Sequence, residues 1–289
     1  MEYSHSESLR KDKRAVAPAV STVILTGSVV AMILVAMTFA NTFLDSRLAE
    51  NEFSTNKQFM LTTGLQIDDI AWTIGRTQTV RYSSKYGNMK FQSSALTYTF
   101  EVSEDGTNWE TLDELAGYTM TGMILYNVPV RTYTISNNYF ERMLPSSDGS
   151  FLQEGSTAPV SHVFCIEKLP MNDGNYTRIV AVPTIRMLNS TIVDPSGVPM
   201  SYTKFYLPVL WTGTHLYRSQ SVTLTGDDII KVVRSDVNHV RITVTYGNAG
   251  SGFDADFFKF DHNSEVVDLA DNSVIEVYIG KVVVTLGKI

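Results

Sequence analysis

The chain has 289 residues, a net charge of −7 and a pI near 5.3. No strongly basic patch stands out after the first 14 residues, which argues against nucleic acid as a partner. The single cysteine, Cys165, excludes an intramolecular disulfide, so any core must be held by packing, with length enough for one large lobe or two.

Residues 1–14 are polar and of mixed charge, with too few apolar residues to build a core, and they read as a disordered leader. They end in a cationic cluster, Arg10, Lys11, Lys13 and Arg14. From Ala15 to Leu44 no side chain is charged. As a helix rising about 1.5 Å per residue this stretch is about 45 Å long, more than a bilayer core of about 30 Å requires. The basic flank places residues 1–14 in the cytoplasm and everything from Asp45 outside. Three readings compete: a permanent signal anchor, a secretory signal cut near Ala40, and a leader cut ahead of the apolar run, leaving the helix in place. A secretory apolar region usually runs only about 7–15 residues, shorter than this one.

The junction Lys13-Arg14-Ala15-Val16-Ala17-Pro18-Ala19-Val20 resembles the class III signal peptide of archaeal type IV pilins. In that family a basic pair and one small residue precede the cut, and an apolar helix with an early proline follows. The resemblance covers roughly residues 10–60 and does not extend into the remainder. It implies processing by a prepilin-type peptidase at Lys13, Arg14, Ala15 and Val16, with the cut between Ala15 and Val16. It also implies a filament core built from the helix, through Pro18, Val20, Ile24, Gly27, Leu34 and Leu44. The implied partners are copies of itself or other pilins, an assembly ATPase and a polytopic membrane platform. Bacterial pilins usually carry glutamate at the fifth mature position; Val20 stands there, as in many archaeal members, which puts docking through that carboxylate in doubt. Proline in a first helical turn forfeits no needed N–H. Small residues such as Gly27 and Ser28 let helices approach closely in lipid, although for any one of them the preferred reading is a neutral passenger.

Beyond Asp45 the helix continues with neighbouring apolar stripes, Leu44 with Leu48 and Ala49 with Phe53. Gly64 is the expected stop, since glycine tolerates the left-handed conformation there. From Gly64 the pattern turns extended. Ile67–Ile74, Gln78–Tyr82, Leu96–Val102, Met120–Tyr126, Val130–Ile135 and Val160–Ile166 are predicted strands. Tyr176–Leu188, Thr203–Leu210, Leu216–Leu224, Ile229–Val233, Val240–Tyr246 and Val274–Leu286 follow. Turn signals stand at Asp105-Gly106, Asp148-Gly149, Asp173-Gly174, Gly226-Asp227 and Gly247-Asn248. Pro183 and Pro208 mark sheet-edge or bulge positions. The expected architecture is α+β: a leader 1–15, a helix 16–63 and an all-β, sandwich-like head 64–289, with an internal break within 141–158.

The head shows no metal-ligand spacing, phosphate loop or nucleophile motif, so neither an enzyme nor a cofactor is expected. His162 and Cys165 are three apart, which on a strand puts them on opposite faces. The pairs Asp68/Asp69 and Asp254/Asp256 read as solvated carboxylates. Asn175 and Asn189 begin sequons, physically accessible if the head faces outward. Phe100–Trp109 resembles a hairpin of discoidin-type sugar-binding sandwiches over ten residues; the preferred reading is an Asp-Gly turn with Trp109 in the core. The functional expectation is a structural subunit, major or minor, of a type IV pilus-like surface filament with an adhesive head. The alternative is a single-pass signal-anchored surface protein whose head binds a ligand such as a glycan and never polymerises. A surface hydrolase is a distant third.

Overall fold

The computed structural model describes residues 6–146, 148–193, 199–216 and 220–287, with side chains described from Val20 onward except at Pro199 and Asn272. The chain divides into two compact units, Met1–Leu48 and Ala49–Ile289. One long helix, α1 (Ser6–Ala71), contributes to both. The architecture is α+β, a long apolar N-terminal helix and a β-rich head, as the sequence pattern predicts.

In the first unit every described side chain from Val20 to Leu48 is exposed. In the second unit α1 becomes amphipathic. Ala49, Glu52, Phe53, Asn56, Met60, Thr63, Ile67 and Ile70 are buried, at the three-and-four spacing of one helical stripe. Of these, Phe53, Met60, Ile67 and Ile70 belong to a core cluster with Ile124, Val163, Ile179 and Val284.

The stripe runs past Gly64, so the helix stops eight residues later than expected, at Ala71 rather than residue 63, and residues 67–71 are helical rather than strand. Gly64 serves a different purpose. A Cβ added there would lie 2.6 Å from Val163 Cγ2, and the Gly64 carbonyl accepts a hydrogen bond from Ser161 Oγ at 2.8 Å. The glycine lets the helix backbone touch the sheet.

Among the described residues the head is one 12-stranded sheet. In chain order its strands are β1 (Thr77–Arg81), β2 (Asn88–Ser103), β3 (Glu110–Thr111), β4 (Met120–Pro129), β5 (Tyr139–Leu144) and β6 (Leu152–Glu154). Then come β7 (Ser161–Glu167), β8 (Tyr176–Pro183), β9 (Ile185–Val193), β10 (Pro199–His215), β11 (Ser221–Tyr246) and β12 (Ser264–Gly287). The main path is β5-β7-β8-β4-β2-β11-β12-β10-β9-β6, with β1 on β11 and β3 on β2. Pairing is antiparallel except β10 with β12 and β6 with β9.

Both faces of the central strands are covered. Along β7 and β8, Phe164, Ile166, Val180 and Val182 enter an inner cluster, while Val163, Cys165, Ile179 and Ala181 enter the cluster that holds α1. The sheet curls around the inner cluster: the Phe100 ring of β2 meets Phe205 of β10 at 6.0 Å, and Thr121 Oγ1 of β4 accepts from Leu210 N of β10 at 2.9 Å.

Several expectations are corrected here. Gly226-Asp227 is not a turn but a register shift inside β11. It rephases the strand, so that Val222 and Leu224 face the helix cluster while Ile230 and Val232 face the inner one. The predicted strands 229–233 and 240–246, with residues 221–224 of the predicted 216–224, therefore fall in one strand, β11, with further register shifts between Arg234 and His239. Val130–Ile135 is not a strand, because the buried Glu167 carboxylate accepts from Ile135 N and Thr134 Oγ1 in place of a ladder. Residues 141–158 contain the end of β5 and all of β6, both in the same sheet. Pro208 lies beyond the last β9 partner, where β10 needs no donor on that side.

Candidate functional site

Two surfaces stand out: the exposed apolar helix segment and a cleft in the head.

Val23, Ile24, Leu25, Met32, Leu34, Val35, Met37 and Phe39 are each about 60% exposed or more. This is an apolar surface of a kind that soluble monomers rarely leave to water. Val20–Ala71 is the one helix, among the described residues, long and apolar enough to cross a membrane. Of the assembly residues expected from the sequence, Val20, Ile24, Leu34 and Leu44 are exposed, and Gly27 has nothing within 4 Å of an added Cβ. Lys13, Arg14, Ala15, Val16 and Pro18 lie outside the described side chains.

Helix and sheet are locked in the head by a carboxylate. Glu52 is 8% exposed. It accepts from Tyr126 Oη (2.5 Å), from Ser83 Oγ (3.1 Å) and from the backbone N–H of Lys85, Tyr86 and Gly87 (3.0–3.1 Å). Burial pushes its carboxyl upward, but the bonds from Tyr126 and the three amides outweigh this and leave it below the usual carboxylate range. The loop joining β1 to β2 is thereby tied to the helix.

The carboxylates expected to be solvated are mostly paired. Asp68 accepts from Arg186 Nη1 at 2.6 Å and from Trp72 Nε1 at 2.7 Å, and Asp69 pairs with Arg76. Asp254 caps the single-turn helix α2 (Ala255–Phe258) and binds Lys168 Nζ at 2.5 Å. His162 and Cys165 do lie on opposite faces. The His162 ring meets Phe260 at 5.4 Å, and Cys165 belongs to the helix-side cluster. Burial holds the His162 imidazole down to about 3, with Arg142 adding to the effect, and pushes the Cys165 thiol up to about 12. Among the described residues no group of three His, Cys, Asp or Glu side chains is placed to hold a metal. Asn175 is exposed at the start of β8. Asn189 is exposed on β9, with its amide bonded to Glu154 Oε1 and Thr203 Oγ1 at 2.9 Å each.

Trp109 is not in the core, contrary to expectation. It is half-buried beside the turn 104–107, with the Arg241 guanidinium 4.3 Å from its ring centroid. Arg241 is clamped by Glu101 through two bonds, Nε to Oε2 at 2.6 Å and Nη2 to Oε1 at 2.9 Å. Trp109 lines a cleft of about 390 Å³ between residues 102–110 and 234–237. Sequence reasoning missed this cleft because its two walls are more than 120 residues apart; the Asp-Gly-Thr-Asn-Trp turn was the only local signal.

No family model matches this chain, and no curated protein or solved structure matches it significantly.

Proposed function

We propose that this protein is a pilin-like structural subunit of a surface filament. The observation that carries the reading is the contrast within α1. From Ala49 its apolar stripe is buried in a well-packed head, while from Val20 to Leu48 every described side chain is exposed. Exposed apolar surface of that length needs lipid, other helices, or each in turn. Before assembly the segment crosses the membrane. After removal of residues 1–15 by a prepilin-type peptidase, helices of successive copies bundle, and a head-to-tail contact that never closes gives a helical filament. The junction residues Lys13 to Val16 support the processing step. Copies of the chain or of other pilins, an assembly ATPase and a membrane platform complete the system, and the head faces outside, where Asn175 and Asn189 accept glycans.

The test is electron microscopy of material sheared from the native cells, with antibody against the head. Labelled filaments are expected, and Leu34→Glu, which puts a charge in the apolar segment, abolishes them. Head protein found only as single copies in the membrane fraction overturns the reading. A second reading, an anchored ligand-binding surface protein that does not polymerise, is favoured by one observation, the cleft beside Trp109.

A further inference from the structure

We propose that, in the membrane, the apolar segment of α1 pairs with the same segment of a second copy. The pair is a parallel, in-register dimer with Asn41 against Asn41 of the second copy. The inference rests on the membrane-spanning part of the proposed function and needs no filament.

The helix carries a seam. Counted in sevens, one set of positions is Val20, Gly27, Leu34, Asn41 and Leu48, and the set three residues on is Val23, Val30, Met37 and Leu44. This is the alternating three-and-four spacing of a two-helix coil. Every hydroxyl and every charged side chain between residues 20 and 48 lies off it, with Asp45 and Arg47 at its flanks. Any other register puts at least two hydroxyl or charged side chains on the seam. A strict seven-residue repeat packs as a left-handed pair, and Gly27 lets the two backbones approach.

Asn41 identifies the occupant. The off-seam hydroxyls of Thr26, Ser28, Thr38 and Thr42 donate to carbonyls of their own helix at 2.8–3.0 Å. Among the described residues the Asn41 amide has no partner. Lipid tails offer it none. The basic cluster at residues 10–14 gives every copy the same orientation in the bilayer, so like positions meet at like depth. Two facing amides can each donate and accept, and a lone asparagine on such a seam fixes register and pair number.

The area is sufficient. The seven apolar seam side chains are 47–71% exposed. Side chains of this size carry on the order of 60–120 Å² of apolar surface, so the seam offers on the order of 600 Å² per helix. A specific interface takes about 600–1,000 Å² per partner.

The experiment uses the full, unprocessed chain in phosphatidylcholine vesicles, with Cys165→Ala so that the only thiol is an introduced one. Carbonate extraction comes first; a chain that washes off contradicts membrane insertion, and the pairing with it. Copper phenanthroline then oxidises single-cysteine variants. Leu34→Cys, Met37→Cys and Leu44→Cys are expected to form disulfide-linked dimers, which join like positions only in a parallel, in-register pair. Met32→Cys and Phe39→Cys, on the opposite face, are expected to cross-link far less. Energy transfer between labelled copies diluted in lipid reads the affinity. Asn41→Val is expected to weaken it about three- to tenfold while the circular dichroism of the head is retained. Equal cross-linking on both faces, cross-linking confined to positions 32 and 39, or none at all overturns the proposal. So does an Asn41→Val pair as tight as the parent. With no peptidase, ATPase or platform in the vesicles, a failure here leaves the filament reading to its own test by electron microscopy.

Discussion

Gly64→Ala separates two roles for one glycine. In an open helix interior the change gains about 1 kcal/mol from helix propensity alone. Here the new Cβ would lie 2.6 Å from Val163 Cγ2 and 3.1 Å from Ser161 Oγ. Val163 is fully buried and β-branched, so it has no free rotamer to retreat into. Overpacking of this kind costs about 1–3 kcal/mol. Pushing the helix off β7 also stretches the Ser161 Oγ to Gly64 O bond, a further loss of about 1 kcal/mol. Loss exceeds gain, and the variant is expected to be about 1–3 kcal/mol less stable. The assay is urea unfolding of the full chain in detergent, read by near-ultraviolet circular dichroism. Val163→Ala removes the obstructing methyl, so the double variant is expected to be more stable than the sum of the single effects by about 1 kcal/mol. Were Gly64 a helix stop, its substitution would also destabilise, but without coupling to Val163. A neutral or stabilising Gly64→Ala, or strict additivity with Val163→Ala, refutes the close-approach account.

Three further outcomes follow from the head. Glu52→Gln places an amide nitrogen among donors that need an acceptor, and is expected to lose about 1–3 kcal/mol. Because the Glu52 carboxyl is lowered in the fold, its contribution is present above the ordinary carboxylate pKa of about 4.3 and disappears as pH falls; unfolding curves of Glu52→Gln against pH should lack that component. His162 is neutral in the fold down to about pH 3, whereas the unfolded chain takes up a proton near pH 6.5. Stability therefore falls as pH drops from about 6.5 toward 3, by up to about 1.4 kcal/mol per unit, and His162→Phe should flatten that window in the same titration. Cys165, buried with its thiol pushed up to about 12, should resist a maleimide at pH 8 until urea unfolds the head; labelling at the rate of an exposed thiol would show the burial to be wrong.

The helix and the β-rich head were legible because each imposes a period on the sequence. The uncharged run to Leu44 and the strands Leu96–Val102, Met120–Tyr126 and Val274–Leu286 needed no tertiary information. The helix end was misread because a glycine was taken for a stop. The signal against that reading was present: Phe53, Met60 and Ile67 recur at seven-residue spacing, and Ile70 continues the stripe beyond Gly64. Gly226 misled in the same way, since a bulge and a turn both favour glycine, and only the facing strand distinguishes them. The Glu167 carboxylate that replaces a ladder at Ile135 lies 32 residues away, beyond any local pattern. The Trp109 cleft was only half legible. Its turn is local, but Arg241 and Arg234 come from β11, and nothing in the sequence says that this strand passes beside that turn.

The central claim concerns what happens to the apolar helix, and the N-terminal residue of the protein from its native cells tests it most directly. Intact mass or end sequencing should give a chain beginning at Val16, with Ala15 and the basic residues before it removed. A chain beginning at Met1 would contradict the pilin-like account and leave a signal-anchored surface protein. A start near Asn41 would remove the apolar segment on which the account depends.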